Sequence, residues 1–344
     1  MENFTTMPMA MRGSVGIVGR TMRPFAVIAT TGLLAGCQST HSALQSAGRE
    51  AREMAALFWV LGAAGAIIWT VMMALLLYAL YFKPRIHAER TASLLVWIGG
   101  LAIPATGIVV LVIYTLPMMP SLRAQAGQPT IEVVGELYWW RVRYRLSDGR
   151  VVETANELHL PVGQRTDLAL TSPDVIHSLW IPALAGKMDM IPGRTNRIAL
   201  EPEREGRYGG ICAELCGESH SFMRFEAVVQ SPDALARWLG AQAADANPPA
   251  TPEEKRGAAL FHETGCGACH TIRGTQAEGR SGPDLTHVGS RERIAGGLLP
   301  NNQGTLAGWI AASQDLKPGN KMPSFAVLPG DDLRALAAYL AALK

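Results

Sequence analysis

Residues 211–223 read Ile211-Cys212-Ala213-Glu214-Leu215-Cys216-Gly217-Glu218-Ser219-His220-Ser221-Phe222-Met223, placing two thiols, an imidazole and a thioether at spacings of four, four and three. These are the donor types that copper electron-transfer centres use, and a loop joining two strands can turn all four onto one point. Zinc fits less well, because Cys-x3-Cys followed by His-x2-Met lacks the fourth Cys or His and the usual spacing of a structural zinc site. The missing ligand is expected upstream in Ser172-Pro173-Asp174-Val175-Ile176-His177-Ser178-Leu179-Trp180, where His177 sits in a turn between apolar, strand-like runs. With His177 added, two bridging thiolates and two imidazoles can hold a pair of copper ions. The plainer readings are a Cys212–Cys216 disulfide and a core histidine at position 177; neither accounts for Met223.

Working outward, Asp174-Val175-Ile176-His177-Ser178 with Ile181-Pro182, then Gly186-Lys187-Met188-Asp189 and Ile191-Pro192-Gly193-Arg194, lead into that loop. Taken with it, over most of residues 135–229, they resemble the copper A domain of cytochrome c oxidase subunit II. The resemblance implies that Cys212 and Cys216 bridge two coppers. His177 and Met223 would complete one copper, and His220 with the backbone carbonyl of Glu214 the other. It also implies a magnesium ion on the Glu214 side chain, at the interface with subunit I. One stretch departs from the family. In Gly135-Glu136-Leu137-Tyr138-Trp139-Trp140 the aromatic cluster begins with Tyr138, where the family has the Trp that receives electrons from a separate cytochrome c. Tyr138 and Trp139 are therefore the expected electron path, and delivery from a soluble cytochrome c at that spot is in question.

Around the loop the pattern has period two. Trp140, Val142, Tyr144 and Leu146 alternate with Arg141, Arg143 and Arg145 and end at Ser147-Asp148-Gly149-Arg150, which predicts a half-buried strand with a solvated arginine face and a turn. Further runs at 157–160, 166–170, 197–200 and 223–229, broken by Pro and Gly, predict a small all-β sandwich, cupredoxin-like by the resemblance, over residues 127–245.

The 344 residues suffice for several domains, and a net charge of +2 gives no reason to expect nucleic acid. Arg12, Arg20 and Arg23 precede a short apolar run at 25–34 and Leu34-Ala35-Gly36-Cys37. That reads as an export signal over residues 1–36, too short for a span. Its ending resembles a bacterial lipobox, which implies lipidation of Cys37; a plain signal peptide is the alternative, and Met11 and Met22 are alternative starts. Residues 55–82 and 91–120 carry no charge and predict a two-helix transmembrane hairpin within residues 37–126. The loop Lys83-Pro84-Arg85-Ile86-His87-Ala88-Glu89-Arg90 is net basic, so the positive-inside rule puts it in the cytoplasm and both flanks on the periplasmic side of a bacterial inner membrane. Glu89 lies roughly where the family has a glutamate feeding a proton path, in surroundings that differ from the family's Trp-Thr pattern.

After a predicted helix near 233–244, residues 246–252 form a proline-rich linker, and a domain over 253–344 follows. Cys266-Gly267-Ala268-Cys269-His270 is the Cys-x-x-Cys-His attachment motif for a c-type haem, with His270 as the proximal ligand. Met322, in Lys317-Pro318-Gly319-Asn320-Lys321-Met322-Pro323, is the only methionine after His270 and the expected sixth ligand; His262 and His287 are its rivals. Gly282-Pro283-Asp284-Leu285 and a final helix around 333–340 complete a resemblance to a small, all-α class I cytochrome c. That resemblance implies that the Pro283 carbonyl accepts the His270 ring N–H.

Together these readings imply a subunit II that carries its own cytochrome c. Electrons would pass from a covalent haem c to a copper A pair and on to subunit I for reduction of oxygen to water coupled to proton translocation. The implied partners are subunits I and III, with a cytochrome c or a quinol:cytochrome c reductase as upstream donor. A membrane-tethered copper and haem carrier without an oxidase partner is the alternative. Nitrous oxide reductase shares the copper loop but resembles a soluble propeller enzyme, and this chain has no propeller repeats.

Overall fold

The structure, a computed structural model, describes residues 41–82, 89–116 and 131–344. The expected export signal with Cys37, and residues 83–88 of the basic loop, lie outside the described residues.

Among the described residues, two stretches are long and apolar enough to cross a membrane, Arg49–Phe82 (α1) and Ala92–Thr115. At 34 residues α1 is roughly 51 Å long, more than the ~30 Å of a bilayer core. Its Trp59, Ile67, Trp69 and Leu80 face outward, which suits a lipid solvent. The second stretch consists of α2 (Glu89–Leu95), a π-helical segment (Val96–Ala102) and α3 (Ile103–Thr115). The π segment, not expected from the sequence, closes where the Ile103 N–H reaches the Ile98 carbonyl. Pro104 has no N–H to continue the ordinary ladder there.

The β-sandwich has two five-stranded sheets. The strands are β1 (Ile131–Glu136), β2 (Trp139–Arg145), β3 (Val151–Ala155), β4 (Glu157–Pro161), β5 (Thr166–Thr171), β6 (His177–Trp180), β7 (Met188–Met190), β8 (Asn196–Leu200), β9 (Gly206–Cys212) and β10 (Arg224–Gln230). The orders are β3-β2-β1-β5-β8 and β4-β10-β9-β6-β7, with β1/β5 and β4/β10 parallel. Alternate residues of facing strands, among them Trp140, Leu158, Leu168 and Leu170, are fully buried between the sheets, as period-two strands require. The arginine face of β2 is not uniformly solvated. Arg145 is exposed, but Arg141 is buried, held by Glu136 and Glu153, and its Nη2 donates to the Arg280 carbonyl at 2.8 Å. The side that the alternation assigned to water is covered at Arg141 by the C-terminal domain.

Helix α4 (Pro232–Gln242) is capped by the Ser231 hydroxyl and lays Trp238 flat on His159, ring centroids 3.7 Å apart. The following residues pack on the next domain. The Ala244 carbonyl accepts from Arg273 and His287, and the Ala246 N–H reaches the Arg273 carbonyl. Three helices form the rest: α5 (Pro252–Glu263), α6 (Gln303–Leu316) and α7 (Gly330–Ala342). Thr251 and Glu254 make a capping box at the start of α5. Gly257 lets α5 and α7 cross closely, since a Cβ there would collide with the Ala335 carbonyl. Phe261, Leu336, Ala337 and Tyr339 fill the core between the helices.

Candidate functional site

The register of the second sheet gathers the residues of the Cys/His/Met loop. β9 ends at Cys212, β10 begins just after Met223, and the Cys212 N–H closes the loop on the Met223 carbonyl at 3.0 Å. β6 pairs Leu179 with Cys212, which brings His177 alongside. Cys212 Sγ lies 3.9 Å from His177 Nδ1, 3.9 Å from Cys216 Sγ and 3.2 Å from the Glu214 carbonyl oxygen. Cys216 Sγ lies 3.5 Å from His220 Nδ1 and 3.8 Å from Met223 Sδ. The six expected donors thus form one connected cluster, with the ligand atoms of His177, Cys212 and Cys216 within 4.8 Å of one another, and both cysteines are free thiols. Two thiols, two ring nitrogens, a thioether and a carbonyl, mostly buried, form a donor set that fits copper.

Asp174 orients the cluster. Its Oδ1 accepts from His177 Nε2 at 2.8 Å and from the Val175 N–H at 2.8 Å, while Oδ2 accepts from the Leu137 N–H at 2.9 Å. Donation from Nε2 leaves Nδ1 free to face the sulfur, the arrangement that fixes a metal-binding tautomer. Burial would raise the Asp174 pKa, but the His177 hydrogen bond and the two amides hold it well below the usual carboxylate range. Burial likewise opposes a charge on His177, and Asp174 and Cys212 reverse that and raise it. Of the two thiols, Cys212 ionises first, favoured by the Cys216 hydrogen bond against the penalty of burial, and Cys216 is pushed up by the same contact.

The Glu214 side chain points away from the cluster, into the exposed Lys187, which also pairs with Asp189. Beside it Leu215 is 78% exposed, and Val175 and Ile176 are exposed as well.

The Cys-x-x-Cys-His motif opens a second site. Helix α5 stops at Gly265, whose φ of +80° suits glycine, and a 3-10 turn over Cys266–Ala268 follows. His270 Nδ1 donates to the Pro283 carbonyl at 2.8 Å, as the resemblance implied, which leaves Nε2 free. Burial lowers the His270 pKa and keeps the ring neutral, the ligating form. The ring stacks where only glycine fits, because a Cβ on Gly282 would lie 2.6 Å from His270 Cε1. These residues line a cleft of about 400 Å³ walled by Leu285, Leu306, Trp309, Ile310 and Phe325, with Met322 also on its wall. Met322 is held by its backbone: its N–H reaches Asn320 Oδ1, and its carbonyl accepts from Ser313 and Gln314. Of the rivals, His287 is turned to the Ala244 carbonyl and His262 is exposed; neither lines the cleft. Arg291, buried on the cleft wall, gives Nη2 to the Asp284 carbonyl, and its Nε has no partner among the described residues. An apolar cleft with two thiols, an imidazole, a thioether and an unsatisfied guanidinium fits a haem with its carboxylates.

Leu137, Tyr138 and Trp139 of the sandwich line the same cleft. The Tyr138 hydroxyl accepts the Glu218 N–H at 3.0 Å, so this ring touches both the cleft and the Cys/His/Met loop. Sequence reasoning missed Asp174, Arg291 and Gly282 as working residues. Only Asp174 carried a signal, as an acid three positions before the ligand-like His177.

Residues 133–231 match the family described as cytochrome c oxidase subunit II, periplasmic domain, and residues 254–344 the family described as cytochrome c. The chain is 38% identical over 214 residues to cytochrome c oxidase subunit 2 of Alkalihalophilus pseudofirmus, covering 62% of this chain and 61% of that protein. It is 32% identical over 253 residues to cytochrome c oxidase subunit 2 of Bacillus subtilis, covering 69% of this chain and 70% of that one. The chain therefore spans about three fifths to seven tenths of these curated relatives. Among solved structures, the periplasmic domain of subunit II of the Bradyrhizobium japonicum cytochrome oxidase is 27% identical, covers 34% of this chain and 95% of that one, and has a TM-score of 0.32. With the sandwich, the helical domain and the thiol cluster in view, coverage of 70% of a relative at 32% identity shows that the chain belongs to the cytochrome c oxidase subunit II family.

Proposed function

We propose that this chain is the electron-receiving subunit II of a membrane-bound haem–copper oxidase and carries its own cytochrome c. When bound, the haem c and the copper A pair supply one-electron carriage, from haem to copper and on to the partner subunit that reduces oxygen and translocates protons. Cys266 and Cys269 would hold the haem covalently, His270 and Met322 would ligate its iron, and Arg291 would pair with its carboxylates. Cys212 and Cys216 would hold two coppers together with His177, Met223, His220 and the Glu214 carbonyl. The observation that carries this reading is Tyr138, which lines the cleft and accepts a hydrogen bond from the Cys/His/Met loop, so that the two sites share one wall with Trp139 beside it.

The exposed Leu215, next in sequence to Glu214, suits a partner's membrane-side face, where the Glu214 carboxylate, here paired with Lys187, would hold magnesium. Subunit I is that partner, with subunit III completing the complex and a cytochrome c or quinol:cytochrome c reductase upstream. Residues 1–36 export the chain to a lipidated Cys37, two spans anchor it in the bacterial inner membrane, and the redox domains, joined at 246–252, face the periplasm. Metal and haem analysis of the purified protein tests the reading. Two coppers and one covalent haem per chain are expected, with copper lost and haem kept in Cys212→Ser and Cys216→Ser. One copper, or zinc, rejects the paired site, and a chain that always purifies without a multi-span haem protein rejects the oxidase partner.

A further inference from the structure

The strip Lys317-Pro318-Gly319 starts the loop that ends at Met322, yet it packs on the copper-loop side of the molecule. Lys317 is buried, at 3% exposure, between the sandwich and the helical domain. Its Nζ donates to three backbone carbonyls: Tyr138 at 2.7 Å, Phe222 at 3.0 Å and Ala295 at 2.9 Å. Two of the three belong to the sandwich. Tyr138 lines the cleft, and Phe222 directly precedes Met223. An ammonium has three N–H bonds and a neutral amine two, so the acceptor count matches the charged form. Burial works against that charge and pulls the Lys317 pKa down to about 7. The three carbonyls supply the compensating charge-assisted hydrogen bonds.

The surroundings are built to receive this side chain. A Cβ on Gly296, at φ +70°, would collide with Lys317 Nζ, and the Gly296 carbonyl accepts the Arg224 N–H at 3.0 Å. Ser219 Oγ donates to the Pro318 carbonyl at 2.6 Å, and Gly319 lies against Glu218 and the Tyr138 hydroxyl. One short loop therefore carries Met322 at one end and is tied at the other to the segments beside His220, Met223 and Tyr138.

We propose that Lys317 is a positioning residue, a clamp that locks the cytochrome c domain onto the copper domain in the single pose through which the two redox sites exchange electrons. The inference rests on the proposed haem-to-copper function for its purpose, but the clamp itself is independent of it. A six-residue loop held at both ends keeps Met322 and the Tyr138 wall in fixed relation. The site a separate donor would use around Tyr138 is permanently filled by the chain's own domain.

The test uses the full-length protein in detergent, with any subunits that copurify. Lysine acetylation followed by mass spectrometry should modify Lys317 at least about tenfold more slowly than Lys321, whose side chain is 62% exposed. In Lys317→Met, with haem and copper contents and spectra at wild-type levels, haem-to-copper transfer after flash reduction should slow by about tenfold or more, as a docked population held by charge-assisted bonds is lost. Equal labelling of Lys317 and Lys321 overturns the clamp, and so does an unchanged transfer rate in a fully loaded variant. If the variant fails to load, labelling of the wild type decides. Should the wild type hold both groups yet show no transfer between them, the proposed function falls and the labelling result still stands for or against the clamp.

Discussion

Replacing Asp174 by Asn tests how far the proposed copper site depends on a residue that would bind no metal itself. The carboxylate accepts hydrogen bonds from His177 Nε2 and the Val175 and Leu137 amides at 2.8 or 2.9 Å and a longer one from Ser172 Oγ at 3.3 Å, with Lys321 Nζ 3.7 Å from Oδ2. Asn has a single carbonyl oxygen and turns an NH₂ toward at least one of those donors. If the Asn oxygen takes the Oδ2 position it serves Leu137 alone, the NH₂ faces Val175 and His177, and His177 loses its anchor so that its Nδ1 no longer faces Cys212. If it serves His177, a backbone donor is left unpaired at a cost of roughly 1–3 kcal/mol. Loss of such an orienting partner typically lowers metal affinity about 10–100-fold, or roughly 1.4–2.7 kcal/mol. Copper competition against a chelator at pH 7 measures this directly. Haem content serves as the internal control, because His270 and Met322 are held by other partners. Copper affinity within twofold of wild type would refute the reasoning and make His177 self-oriented.

Two further expectations concern packing and pH. Gly282→Ala puts a methyl 2.6 Å from His270 Cε1 and 2.8 Å from Nδ1, with the backbone pinned by the Gly282 N–H on the Cys269 carbonyl. The cytochrome domain should lose about 1–3 kcal/mol in chemical denaturation while copper content stays unchanged; unaltered haem ligation and stability would show that the ring has room to move. Glu226 has its pKa raised chiefly by burial, and Glu292 and Glu157 add to this against Arg207. A raised carboxylate holds its proton to higher pH in the folded state, so its contribution is present below the ordinary carboxylate range and lost as pH rises through the folded value. Glu226→Gln should therefore have a higher thermal midpoint than wild type at pH 7, the difference closing below roughly pH 4. A lower midpoint at pH 7 would mean that the Arg207 pair outweighs burial.

The chain's chemistry is written locally, and that is why so much of it was legible. Cys212, Cys216, His220 and Met223 lie on one loop, and Cys266, Cys269 and His270 on one turn, so their spacing alone reports that they converge. The same holds for the two apolar stretches and for the strands at 157–160 and 166–170, where period and length mirror the solvent on each face. Short strands such as β6 and β7 were not separable, because three or four residues carry too little periodicity. Only the folded chain put Met322 on the cleft wall and His287 off it, since that depends on where the Ala244 carbonyl lies relative to His287. It alone showed that Arg141 is buried, because the cover comes from Arg280, 139 positions away. Lys317 and Tyr138 are separated by 179 positions. Contacts of that range follow from how two domains pack, and side chains that meet only there leave no spacing in the sequence to read.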